Sequence, residues 1–246
     1  MMQLRPQDII HKSYLNRVLI EVIDRPLLSQ HLAFKGGTCA SMLGFLDRFS
    51  VDLDFDLLSK SQSSMVRKEF HELFDHLGLA VTKESKNTLF FQVKYISNTP
   101  LARNTIKISA IDNAVKTNEY AVQYFAEIDR LMKSQTIGTL FANKLVALTD
   151  RYTKYHTIAG RDIYDIHHYF VAGYAYSGAV IEERTHHTVC AYFASLIEFI
   201  QKHVTQTIVN EDLNTLLPPD GFREIRKVLL PETLHFLTME HARLNR

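Results

Sequence analysis

FKGGTCASMLGFLDRFSVDLDFDLL, residues Phe34 to Leu58, decides the fold of this chain. A β-strand sends alternate side chains to opposite faces, so Asp52, Asp54 and Asp56 line one side of a strand while Leu53, Phe55 and Leu57 line the other. The apolar side belongs on a core. Three carboxylates in a row repel one another, and the acidic side needs a cation; a hard divalent ion such as Mg²⁺, which takes carboxylate, water and phosphate oxygens, meets that need. Upstream, Phe34-Lys35-Gly36-Gly37-Thr38 runs from an apolar strand end into CASMLGFL, which has the spacing of a helix of about three turns. Glycines at such a junction let the backbone approach a ligand closely, and N–H groups at a helix start attract phosphate. Thr38 adds a hydroxyl or caps the helix. The order strand, glycine turn, helix, acidic strand reads as a combined nucleotide and metal site.

The flanking sequence extends this unit into a sheet. Asp8 to Leu28 has its apolar residues at helical spacing (Ile9, Ile10, Leu15, Val18, Leu19, Val22, Ile23), and Leu32 to Phe34 is a short buried strand. Gln62 to Leu77 predicts a second helix, with Val66, Phe70, Leu73, Phe74 and Leu77 on one stripe and Gly78 as its stop. From Leu79 to Phe125 the period changes to two, and LAVTKES, TLFFQVKYI, TIKISAI and EYAVQYF are four further strands. After about Ile128 the pattern is helical to the end: Thr136 to Arg151, Asp162 to Phe170, Gly178 to His203, Glu211 to Leu217, and a helix within Gly221 to Leu244. The expected fold is therefore α/β (α+β): an N-terminal mixed sheet with helices over 1–130, followed by a C-terminal helical bundle over 131–246 that completes the cleft. No repeat, low-complexity tract or long linker interrupts it.

Composition narrows the function classes. The chain has 246 residues, 46% of them hydrophobic, enough for a sizeable core. Its 28 basic and 27 acidic residues leave a net charge of +1, so any nucleic-acid contact must come from a local patch. Two cysteines, Cys39 and Cys190, suit a reducing compartment and offer no zinc spacing. No secretory leader and no run of about 20 apolar residues is found, so a cytoplasmic protein without membrane contact is expected.

A second constellation lies in the helical half. Lys144, Leu148 and Arg151 share a helix face, and Gly160-Arg161-Asp162-Ile163-Tyr164-Asp165 places Asp162 and Asp165 at i, i+3. Two cations in line suit a triphosphate, whose charge builds during transfer. The two acids either pair with Lys144 or Arg151 or orient an acceptor hydroxyl as a base.

Both constellations resemble the AbiEii/AbiGii toxin branch of the nucleotidyltransferase superfamily, which is built on the polymerase-β palm. KGGT at Lys35–Thr38 and RFSxDLDF at Arg48–Phe55 match that branch, as do the Lys144-Leu-Val-Ala-Leu helix and Arg161-Asp162-x-x-Asp165; the likeness spans roughly residues 30 to 170. The resemblance implies that Asp52 and Asp54 hold Mg²⁺ (or Mn²⁺) on the triphosphate of an NTP. It implies that Gly36, Gly37 and Thr38, with Arg48, Ser50 and Arg151, face the nucleotide, and that Lys144 and Asp162 are catalytic or binding residues, with Asp165 third. It further implies NMP transfer to an acceptor, an RNA such as a tRNA 3′ end, by the toxin of a toxin–antitoxin or abortive-infection system, with a cognate antitoxin as partner.

One departure stands out. Ser109 in the strand Ile106 to Ile111 occupies the place where the branch commonly carries a third acid, so the third ligand is Asp112, Asp56, Asp165 or absent. Absence would fit a nucleotide-binding regulatory module whose chemistry has lapsed. Blander readings exist for other residues. Arg48 reaches a phosphate or pairs with Asp47 or a strand acid. Tyr152, Tyr155, Tyr164, Tyr169, Tyr174 and Tyr176 stack on bases or simply pack between helices. His167-His168 and His186-His187 point to different sides of a helix, which argues against shared zinc.

Overall fold

The computed structural model describes residues 6–96, 103–112, 115–214 and 216–246. The chain divides into two compact units, 1–114 with 119–136, and 115–118 with 137–246.

The first unit is a seven-stranded mixed sheet and its helices. Helix α1 (Pro6–Asp24) and helix α2 (Pro26–His31) replace the single helix expected over Asp8 to Leu28. Pro26 breaks it, because proline restricts the preceding Arg25 to extended backbone and itself suits the first turn of a new helix. Strand β1 (Leu32–Lys35) leads into α3 (Gly36–Met42), then β2 (Leu53–Leu57), α4 (Ser63–His76), β3 (Ala80–Glu84), β4 (Leu89–Lys94), β5 (Thr105–Ile111), β6 (Tyr120–Phe125) and β7 (Arg130–Gln135). Helix α3 has seven residues, about two turns rather than three; it begins on the glycines themselves, and the chain turns away at Gly44, whose φ is +77°. Strand β7 corrects the expectation that everything after Ile128 is helical. Its sequence, RLMKSQ, carries no β-branched residue and little alternation, so the strand is made by its neighbours, not by its own propensity.

The strands lie in the order β3-β4-β5-β2-β1-β7-β6. Strands β1 and β2 are antiparallel, with Lys35 opposite Asp54 and Ala33 opposite Asp56, whereas β2 and β5 run parallel with Asp54 beside Ser109. One face of this sheet is apolar: Phe34 meets Phe55 and Phe125 at ring distances of 5.3 and 5.6 Å, and Phe91 meets Phe70 and Phe74 of α4 at 5.3 and 5.2 Å. Burying an aromatic of this size contributes about 1.5–3 kcal/mol, which ties β1 to β2 and β6, and β4 to α4. The opposite phase of the same strands carries Lys35, Asp54, Asp56 and Ser109.

The second unit is helical: α5 (Ile137–Tyr155), α6 (Gly160–Val171), α7 (Gly178–Thr185), α8 (Val189–His203), α9 (Gln206–Leu213), α10 (Pro219–Ile225) and α11 (Leu229–Leu244). The expected helix from Gly178 to His203 is two helices. His186 ends the first in the left-handed conformation (φ 58°), and the Thr188 hydroxyl caps the second by accepting from the Ala191 amide. The helix expected at Glu211 to Leu217 starts earlier, at Gln206, where Thr205 caps it, and the last expected helix resolves into α10 and α11. Phe141 at the centre contacts Tyr169, Phe170 and Tyr176 at 5.0, 5.0 and 5.8 Å, so two of the six tyrosines named above are packing residues. Tyr152 packs on Phe199 and His203, Tyr174 meets Tyr169, and Tyr155 is exposed.

Candidate active site

The site in the sheet unit begins with a backbone requirement. Gly36 has φ +80°, a left-handed conformation that side chains disfavour, and a Cβ placed on it would lie 2.9 Å from Oδ2 of Asp54. At Gly37 a Cβ would lie 2.9 Å from both the Arg48 guanidinium and the Ser50 hydroxyl. The two glycines are therefore the floor on which Asp54, Arg48 and Ser50 rest. Lys35, the residue before them, is extended and aligned with Asp54 across the β1–β2 pair, which brings the acid strand back over the turn.

Side chains lock this arrangement. The buried Thr38 hydroxyl donates to the Asp52 carbonyl at 2.5 Å, and Ser41 donates to the Arg48 carbonyl at 3.1 Å. Arg48 is 2% exposed and donates to the Phe49 carbonyl at 3.1 Å. From α1, His11 Nε2 donates to the Val51 carbonyl at 2.9 Å, while its Nδ1 stands 3.0 Å from the Tyr95 hydroxyl. Burial holds the His11 imidazole below its ordinary pKa, so it serves this segment as a neutral ring. The peptide units flanking Asp52 are thus tied on one side by Thr38 and on the other by His11.

The three aspartates have different surroundings. Asp52 lies just before β2 and is half-buried, as is Asp54 within it. Asp54 Oδ1 accepts from the Ser109 hydroxyl at 2.6 Å. Asp56, one of the three residues weighed as a third metal acid, is 1% exposed and already neutralised: Lys35 Nζ lies 2.6 Å from one oxygen, and Tyr120 and Gln135 donate to the other at 2.9 and 2.7 Å. Asp112, the second, stands 3.6 Å from Lys60 at the end of β5. Among the described residues, no group of three or more His, Cys, Asp or Glu side chains is arranged to hold a metal ion. The pair Asp52 and Asp54, one just before β2 and the other within it beside the glycine turn, fits a Mg²⁺ ion that takes one or two carboxylates and completes its shell with water and substrate phosphate.

The helical unit holds the other constellation. Lys144 Nζ on α5 lies 2.9 Å from an oxygen of Asp162 and 2.9 Å from an oxygen of Asp165, both on α6 and both fully buried. Arg151 Nε is 3.6 Å from the second oxygen of Asp162, and neither atom has a hydrogen-bond partner among the described residues. Asp165, the last residue considered as a third acid, is thereby an ion-pair partner of Lys144 within its own unit. Gly160 opens α6 because a Cβ there would lie 2.6 Å from Val209 Cα and 2.7 Å from the Ile208 carbonyl of α9. That contact sets where Asp162 and Asp165 begin their face.

No local pattern in the sequence marks Lys35, Tyr120 and Gln135 as the partners of Asp56. Only Lys35 left a trace, since strand alternation puts it in the phase of Gly-flanked acids; the other two come from strands more than 60 residues away. Nor does any local pattern mark His11 as a partner of Val51. Of the histidine pairs, His167 Nε2 lies 2.7 Å from Glu232.

Comparison with known proteins follows the same lines. A family described as the nucleotidyl transferase AbiEii toxin of type IV toxin–antitoxin systems matches residues 17–235. The crystal structure of JHP933 from Helicobacter pylori is similar over 99% of this chain and 95% of its own, at 20% identity and a TM-score of 0.65. A candidate nucleotidyltransferase, also from H. pylori, is similar over 98% of both chains, at 19% identity and a TM-score of 0.63. No curated protein matches the sequence significantly. Among the described residues, no helix is long and apolar enough to cross a membrane.

Proposed function

The chain belongs to the AbiEii nucleotidyl transferase toxin family of type IV toxin–antitoxin systems, and from that premise we propose a Mg²⁺-dependent transfer of NMP from an NTP to an acceptor hydroxyl on RNA, with a tRNA 3′ end favoured. The observation that carries this reading is the approach of Asp54 to Gly36, 2.9 Å from where a Cβ would stand. It unites a carboxylate with a turn that can accept phosphate only because it lacks side chains.

In the reaction, the acceptor oxygen forms a bond to the α-phosphorus, the bond from that phosphorus to the pyrophosphate oxygen breaks, and the acceptor's proton passes to a base. Bound between Asp52 and Asp54, a divalent ion would supply charge neutralisation on the phosphates. Gly36, Gly37 and Thr38 are assigned to the phosphates through the backbone of the turn, while Arg48 and Ser50, packed on Gly37, hold that turn in shape. Lys144 and Arg151 are assigned to the triphosphate charge and Asp162 to the acceptor. Asp162 Oδ2, which has the Arg151 guanidinium at 3.6 Å but no hydrogen bond among the described residues, supports a role beyond packing. We assign the protein to the cytoplasm, with the antitoxin as its partner.

The test is purified protein with each labelled NTP, Mg²⁺ and total tRNA. Label appears on tRNA with at least one NTP; none with any NTP, while the protein is folded, overturns the proposal. Ser109 beside Asp54 favours one second reading, a nucleotide-binding regulatory module with lapsed catalysis. There, NTP with Mg²⁺ raises the melting temperature while transfer stays absent.

A further inference from the structure

The number of metal ions at this site, if the reading above holds, is set by the oxygen donors around Asp54. A two-metal centre needs ions about 3.5–4 Å apart, each with its own carboxylates beyond the one they share. Here the position aligned with Asp54 on the neighbouring parallel strand is Ser109, and its hydroxyl donates to Asp54 Oδ1 at 2.6 Å. A serine there contributes no charge and occupies an oxygen that a second ion would need. The same strand phase continues to Lys107 on β5 and to Lys35 on β1, so cations rather than acids flank the pair. The next acid, Asp56, is consumed by Lys35, Tyr120 and Gln135, and Asp112 stands by Lys60.

We propose that this site works with a single divalent ion, held by Asp52, Asp54 and nucleotide phosphate, and that Ser109 is a positioning residue in place of a third ligand. By fixing Oδ1, Ser109 leaves Oδ2 as the Asp54 oxygen that faces Gly36. The arrangement suits Mg²⁺ as a nucleotide-borne ion, since it needs few protein ligands when phosphate supplies the rest. A second ion would find no carboxylate of its own, because Asp56 is already neutralised by Lys35.

The experiment counts bound Mn²⁺ by electron paramagnetic resonance on the full chain, in the presence of the α,β-methylene analogue of each of the four NTPs. The wild type binds one ion per chain. Ser109→Asp, which restores an acid beside Asp54, binds two. Ser109→Ala keeps one ion, but its Mn²⁺ affinity falls several-fold and half-maximal transfer needs correspondingly more Mg²⁺, with the melting temperature nearly unchanged. Two ions of comparable affinity in the wild type overturn this inference and leave the transferase reading intact, as does a Ser109→Ala protein that binds Mn²⁺ like the wild type. No bound Mn²⁺ with any analogue overturns both.

Discussion

Lys35 Nζ stands 2.6 Å from Asp56 Oδ1, diagonally across the β1–β2 pair, and the carboxylate it meets is 1% exposed. The third aspartate of the acidic run is therefore neutralised by the protein itself. Lys35→Met leaves a buried carboxylate with only Tyr120 and Gln135, and breaking a buried pair in this way costs about 3–5 kcal/mol. Urea denaturation should show that loss, and the double change Lys35→Met with Asp56→Asn should recover more than half of it.

Asp54 and Asp56 share a strand face but not a task. Asp54→Asn should lower NMP transfer by about 100-fold or more at unchanged fold, since it removes a carboxylate from the ion that offsets transition-state charge. Asp56→Asn should cost stability and leave the Mg²⁺ dependence of transfer near that of the wild type. Equal losses of transfer in the two variants, with equal stability, would contradict this division.

Gly36→Ala carries two penalties. The left-handed backbone costs a residue with a side chain about 1–2 kcal/mol, and the new methyl would press on Asp54 Oδ2 from 2.9 Å. Displacing a reacting group by about 1 Å is worth roughly 100-fold in rate. Transfer should fall much further than the melting temperature implies, which initial rates and thermal denaturation of the same sample would reveal.

One lysine serves two buried acids on α6. Lys144→Met should destabilise the helical unit by about 3–5 kcal/mol, because Asp162 and Asp165 then face each other without that cation. Adding Asp165→Asn should restore much of the stability without restoring transfer. Recovery of both would reduce Lys144 to a structural residue.

His11 gives the stability a pH dependence. Burial depresses its pKa below the ordinary histidine value of about 6.5 in the folded state, so the unfolded chain takes up the proton first. The stability linked to the neutral ring is complete above about pH 6.5 and falls as the pH drops toward the folded pKa. Between pH 7.5 and about pH 5.5, the urea midpoint of the wild type should fall more than that of His11→Asn; parallel curves would sink this account.

Gly36 and the shared phase of Asp54 and Asp56 are legible because local rules govern both: strand alternation fixes which acids share a face, and a positive φ calls for glycine. Asp56 was not separable from its neighbours, since its partners Tyr120 and Gln135 arrive through tertiary pairing that no local pattern encodes. Strand β7 was missed for the same reason. Its residues prefer no strand, and its place beside β1 is held by a parallel pairing at Phe34 and Ser134 and by the hairpin with β6. In the helical unit, the break at His186 was hidden because a histidine in a left-handed turn looks, in sequence, like any helical residue. Ser109 was visible as a departure, but only the strand register made it a partner of Asp54.

Strand β7 lies between β1 and β6, so one side of β1 stays open until the ribosome has passed Gln135, about a hundred codons after Lys35 emerges. Until then Asp56 lacks two of its donors, and the sheet beneath the glycine turn is unfinished. The acid-bearing strand thus gains the last partners of its buried carboxylate only late in synthesis.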